Sequence, residues 1–442
     1  VSGSFQPNNG AAFSSVSSAT PVCWNNAGCT AGPRVAFITR ATDQSGNGGN
    51  NGAIHVWVKF PEGNFELASR ASKTKSGQGA QGNNDSSAAV ISANGRVVVF
   101  ASNADNLVSN DTNATTDIFR RNLETDKTQL VSRKSDQVID GVRKPGAQAK
   151  GRSYLAAVSA DGQKIVFVSE ASNLGAQDAN GKQPDVFFRN MKTGKTLTLS
   201  VTGQGEPTGN GPSGGIMGGG YIGGIAISGD GRTAAFGSGA TDLSDNDENG
   251  IYGDIFAVLN LDSAIQNTLQ PHLVSSTKGV QGNFDSFTPA LDYEGETLAY
   301  WSTSNNLVAN DTNNASDIFV QDLFGQNVER ANVTNIGGEE DTGGARDVTI
   351  AINDAGNRVV FSSWGMLQEG TCAQQPQVYM RDTSAQTTQR VSVAYNGNCG
   401  DHWADYPDIS ADGKYVTFTS AATDLVPGDT NTFDDVFLRG ML

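Results

Sequence analysis

Histidine is scarce here: His55, His272 and His402 are the only three in 442 residues, and no HExxH pair occurs. That excludes the zinc hydrolases that hold their metal between two His one helical turn apart. Four cysteines occur without a CxxC spacing, so the usual structural zinc site has no ligand set. No apolar run has transmembrane length, and no segment reads as a signal peptide. Position 1 is Val and not Met, which fits removal of a secretory leader and fits equally a chain cut at that point. Cations are in deficit too: 30 Lys and Arg face 46 Asp and Glu, giving a formal charge of −16. Such a chain repels nucleic acid, and no basic patch with interleaved aromatics offsets the repulsion. No long stretch carries apolar residues at helical spacing, while 53 Gly and abundant Asn, Ser and Thr mark an all-β, extracellular composition.

What is present is a repeated phrase: NLVSNDTNATTDIF from Asn106, NLGAQDANGKQPDVF from Asn173, DLSDNDENGIYGDIF from Asp242, NLVANDTNNASDIF from Asn306 and DLVPGDTNTFDDVF from Asp424. Before each copy stands an apolar run broken by a tight turn, as in ISANGRVVVFAS from Ile91 and ISADGKYVTFTS from Ile409. The Asp-Gly and Asn-Gly pairs supply turn conformations that β-branched residues resist, so each is a hairpin. A third strand (DIFRRNL from Asp117) and a fourth (TQLVSR from Thr128) follow, making each unit a four-stranded antiparallel meander. The hairpin positions Ser92, Ser159, Ser228, Asp292, Asn353 and Ser410 lie 67, 69, 64, 61 and 57 residues apart. A seventh, degenerate unit precedes them, with RVAFITR from Arg34, AIHVWVKF from Ala53 and FELASR from Phe65. Seven such units predict an all-β, seven-bladed β-propeller. Its blades are expected at about 12–70, 86–133, 153–201, 222–275, 286–333, 346–393 and 405–442, all within one domain of residues 1–442. The last unit stops after its third strand, so residues 1–5 are expected to supply its outer strand and close the ring.

The phrase order S-A-D-G-R/K, V-x-F-x-S, N/D-L-V-x-x-D-T-N and D-I/V-F resembles the WD40-like PD40 repeats of TolB-type β-propellers from bacterial secreted and periplasmic proteins. The likeness covers six units clearly and the first weakly. It implies a propeller that often acts as a binding module and is sometimes joined to a peptidase or a lyase. Blades one and six depart from it, with His55 and Gln377 where the others carry the Asp that opens the third strand.

Each intact phrase gathers two carboxylates and an amide oxygen: Asp111, Asn113 and Asp117; Asp178, Asn180 and Asp185; Asp247, Asn249 and Asp254; Asp311, Asn313 and Asp317; Asp429, Asn431 and Asp435. Hard cations such as Ca2+ take about 6–8 oxygen ligands in flexible geometry, which suits such a loop, although an EF-hand's Gly and closing Glu are absent. The competing reading is that these residues make Asx-turns and keep strand edges charged. Five copies favour about five structural Ca2+ ions, which would balance ten motif carboxylates.

Two disulfides are expected, Cys23 with Cys29 across WNNAG and Cys372 with Cys399 across two loops of blade six on one face, with free thiols or a thiolate metal site as alternatives. Residues 211–215 spell GPSGG around Ser213, but a Gly-rich insertion lacks the strand-to-helix frame of a nucleophile elbow. His402, in CGDHWADYP beside Asp401, Trp403 and Asp405, could face a sugar or cation, or pack under its own loop. These readings point to a secreted, calcium-stabilised, non-enzymatic module for a protein or glycan ligand, or a subunit of a surface assembly. The alternative is a lectin or polysaccharide lyase acting at the channel mouth.

Overall fold

The computed structural model describes residues 3–5, 11–17, 22–24, 27–30, 32–40, 51–203, 207–215, 223–339, 344–368, 375–431 and 433–441. Seven four-stranded antiparallel sheets follow one another. Blade one comprises Ala11–Val16, Val35–Thr39, His55–Lys59 and Phe65–Leu67, and blade two Ser86–Ile91, Val97–Ser102, Asp117–Asn122 and Lys127–Leu130. Blade three is Ser153–Val158, Lys164–Ser169, Asp185–Asn190 and Lys195–Thr198; blade four is Ile225–Ile227, Ala234–Ser238, Asp254–Val258 and His272–Leu273. Blade five is Ser286–Leu291, Thr297–Ser302, Asp317–Asp322 and Val328–Arg330, and blade six is Ala345–Ile352, Arg358–Ser363, Gln377–Asp382 and Thr387–Arg390. Blade seven takes Ala404–Ile409, Tyr415–Ser420 and Asp435–Gly440 from the C-terminal end and Gly3–Phe5 from the other end. Gly3 pairs with Leu438, Ser4 with Phe437 and Phe5 with Val436, so the ring is closed as the missing fourth strand implied.

The repeated residues have identifiable tasks. The Phe of the second strand faces the aromatic of the third: Phe100 with Phe119, Phe167 with Phe187, Phe236 with Phe256, Tyr300 with Phe319, Phe361 with Tyr379 and Phe418 with Phe437, at 5.5 to 6.2 Å between ring centres. These pairs help fill the space between blades, so the apolar core is divided into clusters that straddle each interface, for example Phe188 with Phe236 and Phe256 between blades three and four. In the turn between first and second strands, Ser92 Oγ accepts from Val97 N and donates to Asn94; Ser159, Ser228 and Ser410 do the same with Asp161, Asp230 and Asp412. The turn glycine must adopt a left-handed conformation, with φ of +72° at Gly162, where a Cβ would also meet Val97 at 2.5 Å.

Neighbouring turns are themselves joined through the backbone. Asn94 N donates to Ala160 O, Ala160 N to Gly229 O, Asp230 N to Tyr293 O, Tyr293 N to Asp354 O and Asp354 N to Ala411 O. The first strands surround a central channel lined mainly by Ala, Val, Ile and Leu side chains. Each of several first strands carries a β-bulge, with Ala88, Leu155, Thr288 and Tyr406 at φ near +50°.

The segment bearing Cys23 and Cys29 lies in the connection of the first hairpin of blade one. Val22–Trp24 and Ala27–Thr30 form an extra two-stranded hairpin inserted between the first and second strands of blade one, because those blade strands pair with each other directly. A second extra hairpin, Gln137–Ile139 with Val142–Lys144, projects from the connector between blades two and three.

Candidate functional site

The acidic phrases form the loops between second and third strands, on the face that also carries the blade-to-blade connectors. Asp117 opens the third strand of blade two and is fully buried. Its Oδ1 accepts from Ser132 Oγ at 2.5 Å, and its Oδ2 accepts from Asn113 Nδ2 and from Gln148 Nε2, each at 2.8 Å. Gln148 Nε2 also reaches Asp111 Oδ1 at 2.8 Å, so one amide nitrogen serves both motif carboxylates. Blade four repeats this: Ser275 Oγ donates to Asp254 Oδ1 at 2.7 Å, and Gln281 Nε2 lies 2.8 Å from Asp254 Oδ2 and 3.1 Å from Asp247 Oδ1.

Blade three keeps the serine, Ser200 Oγ donating to Asp185 Oδ1 at 2.8 Å, but its connector offers Thr208, whose hydroxyl accepts from Ala179 N. Asn180 Oδ1 and Asn249 Oδ1 are buried without a hydrogen-bond partner among the described residues, as is Asp435 Oδ1 in blade seven. Asp435 Oδ2 accepts from Asn431 Nδ2 at 3.3 Å, while Asp429 Oδ1 accepts from Asn431 N.

Blade five is different in kind. Arg330, at the end of its fourth strand, places Nη1 3.1 Å from Asp317 Oδ2 and 3.5 Å from Asp311 Oδ1, and Nη2 2.7 Å from Glu339. Asn332 replaces the serine and donates to Asp317 Oδ1 at 2.6 Å. A guanidinium therefore lies where the loop chemistry anticipates a cation.

Blades one and six keep the corner and change its charge. His55 Nδ1 lies 3.0 Å from Ser69 Oγ, and Nε2 lies 2.6 Å from Gln81 Nε2 and 3.0 Å from Asn51 Oδ1. Gln377 Oε1 accepts from Ser392 Oγ at 2.7 Å, and its Nε2 donates to the His402 carbonyl. In blades one to six the residue that opens the third strand thus ties it to the segment just past the fourth, whether it is Asp, His or Gln. That bond accounts for one oxygen each of Asp117, Asp185, Asp254 and Asp317, whereas Asp435 Oδ1 has no such partner among the described residues.

Burial pushes Asp185, Asp254 and Asp435 up to about 7 and Asp117 up to about 6, with the neighbouring motif Asp adding repulsion. Burial also depresses His55 to about 4, so it is neutral at pH 7. Raised carboxylate values mean that the folded chain holds protons the unfolded chain has released between about pH 4 and 7, so these groups lose stability as pH rises through that window. His55 acts oppositely, losing stability as pH falls from 6.5 toward 4. With more raised Asp than depressed His, the melting temperature in chelator should rise when pH is lowered from 8 to 5.5. Scanning calorimetry at stepped pH checks this, and a steady fall over that range would contradict it.

Two residue sets escaped sequence reasoning. One is the polar partner two residues past the fourth strand, fifteen residues after the motif position in Ser132, Ser200, Asn332 and Ser392. The other is an arginine four residues after it. Arg121 Nη1 donates to the Ala71 carbonyl, Arg189 to that of Lys134, and Arg439 to that of Val393, each fastening a third strand to the chain leaving the preceding blade. The arginines were visible as a repeat in DIFRR, DVFFR and DVFLR, but only the fold gives them a partner.

Among the described residues no cysteine is free, and Cys399 is disulfide-bonded. Cys372 and the side chains of Cys23 and Cys29 lie outside the described residues. Peptide mapping without reduction should recover Cys372 joined to Cys399 and Cys23 joined to Cys29; alkylation of all four thiols in unreduced protein would refute both bridges. Ser213 is fully buried, with Oγ 2.8 Å from Ser238 Oγ and N donating to Pro184 O, so its hydroxyl is not presented to solvent as a nucleophile would be. His272 lies in the outer strand of blade four, edge-on to Phe324. His402 lies edge-on to Trp403, and Asp401 accepts from Thr423 N and Oγ1. Among the described residues no three His, Cys, Asp or Glu side chains converge on one metal-sized point, so any ion at a loop would draw further oxygens from amides, backbone or water. Among them, too, no helix is long and apolar enough to cross a membrane.

No family model and no curated protein matches the chain. Similar solved structures include oligogalacturonate lyase from Vibrio parahaemolyticus, 13% identical with a TM-score of 0.47 over 99% of this chain and 96% of that one. Acylaminoacyl peptidase from Pyrococcus horikoshii is 12% identical with a TM-score of 0.46, covering 93% of this chain and 50% of the peptidase. A protein assigned as TolB from Agrobacterium tumefaciens is 11% identical with a TM-score of 0.39, over 86% and 94% of the two chains.

Proposed function

We propose that this chain is an extracellular, non-enzymatic binding or assembly propeller whose acidic loops are ordered by Ca2+. The observation that carries the ion is Arg330, because one of five homologous corners keeps a positive group between its motif carboxylates. Among the described residues no Lys, Arg or His forms an ion pair with Asp117, Asp185, Asp254 or Asp435, whereas Arg330 does so with Asp317. Ions would be held by Asp111, Asn113 and Asp117, by Asp178, Asn180 and Asp185, by Asp247, Asn249 and Asp254, and by Asp429, Asn431 and Asp435. Gln148 and Gln281 would turn their N–H groups away in blades two and four. Blade five needs no ion, so the proposed number is four, taking the formal charge from −16 to −8.

The disulfide at Cys399 supports an oxidising compartment. The non-enzymatic part is supported by how the three histidines are used: each belongs to a different blade or connector, and His55 is locked into a blade corner. A screen of neutral glycans and polyuronides, with and without Ca2+, tests this reading. Expected is no release of unsaturated products under any condition; release by purified protein would replace the reading with a lyase.

A further inference from the structure

Away from the acidic loops, on the face carrying the turns between first and second strands and between third and fourth, lies a groove of about 1120 Å³ spanning blades two to five. Its wall carries Asp161, Asp230, Asp262, Glu294, Glu296 and Asp322. The two cations there are already neutralised: Lys164 Nζ lies 2.7 Å from Asp262, and Arg232 lies 3.5 Å from Asp262 and 3.6 Å from Asp230. Asp161 and Asp322 each cap backbone N–H groups of their own turns. Glu294 and Glu296 are exposed, and no hydrogen bond or ion pair ties their carboxylates to another described residue. Between and beside these acids stand two aromatics turned to solvent, Tyr293 at 42% exposure and Phe324 at 53%.

We propose that this groove binds a Lys/Arg-rich peptide segment of a partner protein. The proposal rests on the binding-module reading and names its site and partner. Unpaired carboxylates beside exposed rings suit ammonium and guanidinium groups, whose apolar stems lie along aromatic faces while the charges meet the acids. The volume exceeds the roughly 300–1,000 Å³ of small-molecule pockets, which fits several residues of extended chain better than a single amine. The floor is stiff, because Ala160, Gly229, Asp230 and Tyr293 are joined by backbone hydrogen bonds from blade to blade, so little ordering is needed on binding. A neutral glycan would leave the excess negative charge uncompensated, and an anionic one would be repelled.

The test uses the full chain in Ca2+ and a fluorescein-labelled Arg/Lys/Gly peptide, read by anisotropy, with its Glu-for-Arg/Lys counterpart and a neutral hexasaccharide as further arms. Saturable binding of the basic peptide is expected, weakening as salt shortens the Debye length. Glu294→Gln combined with Glu296→Gln should weaken it by about tenfold, as two lost charge pairs imply. Phe324→Ala should weaken it severalfold, and Asp140→Asn, at the tip of the projecting hairpin, should change nothing. Absence of saturable binding at low salt, or binding indifferent to the Glu and Phe substitutions, overturns the proposal. Binding of the hexasaccharide that those substitutions abolish would also overturn it while leaving a binding module in place. Cleavage of a polyuronide would instead overturn the module reading itself.

Discussion

Removing calcium with a chelator is expected to lower the melting temperature by on the order of 10 °C or more, because each ion bound at a hundredfold excess over its dissociation constant adds about 2.7 kcal/mol. The effect is assembled at four corners whose buried carboxylates have no ion-paired cation among the described residues, so without ions they must hold protons or repel one another. Calcium-equilibrated protein should contain about four ions by elemental analysis. Asp185→Asn should remove one, and Asp311→Asn none, because Arg330 already satisfies blade five. The informative variant is Arg330→Ser, which should raise the count by one while costing stability only in chelator. An unmoved melting curve in chelator, or protein free of calcium after equilibration, would reject the ion at all four corners.

Deleting residues 1–5 is the second change with a large expected effect. Gly3, Ser4 and Phe5 pair with Leu438, Phe437 and Val436, and these pairings are the outer strand of blade seven. Without them Asp435–Gly440 becomes an open edge that solvent or another chain can reach. At about 1 kcal/mol net for each lost hydrogen bond, several such bonds lower the melting temperature by on the order of 5 °C. Added to that is whatever aggregation the edge invites. The interface between blades seven and one is exposed to the same loss, since Val436 packs there against Val16, Val35, Phe37, Trp57 and Leu67. A truncated chain that melts with the intact one and stays monomeric would show that closure does not depend on this strand.

Most of the architecture was legible in the sequence because it is written six times over. The Ser-x-Asp-Gly turn, the aromatic in the second strand and the Asp-β-branched-aromatic start of the third each recur at a fixed place. Each recurs because the same contact is made in each blade. The corner chemistry was only half legible. Asp117 and Asp254 were found, but Gln148 and Gln281 were not: GAQ and GVQ recur five residues before Ser153 and Ser286, yet only the fold brings those amides to the acidic corner of the preceding blade. Arg330 was missed for a related reason. Sequence repetition reports what the blades have in common, whereas this side chain occupies a position held by Leu130 in blade two and Leu273 in blade four.

The backbone bonds that pass from blade to blade run along both faces of the disc. On the turn face they join blades two to seven, from Asn94 N to Ala160 O through to Asp354 N and Ala411 O. On the loop face the start of a first strand bonds the residue before the third strand of the preceding blade: Ser86 N to Ile54 O, Ser153 N to Thr116 O, Ser286 N to Gly253 O, Ala345 N to Ser316 O and Ala404 N to Pro376 O. Amide-to-carbonyl bonds do not titrate and do not compete with calcium, so these two belts hold the blades at a fixed spacing while the carboxylate corners gain or lose ions. Loss of ions should therefore act within the loops and leave the frame alone. The radius of gyration would stay constant in chelator until the blades unfold, and the groove among the turns would keep its shape throughout.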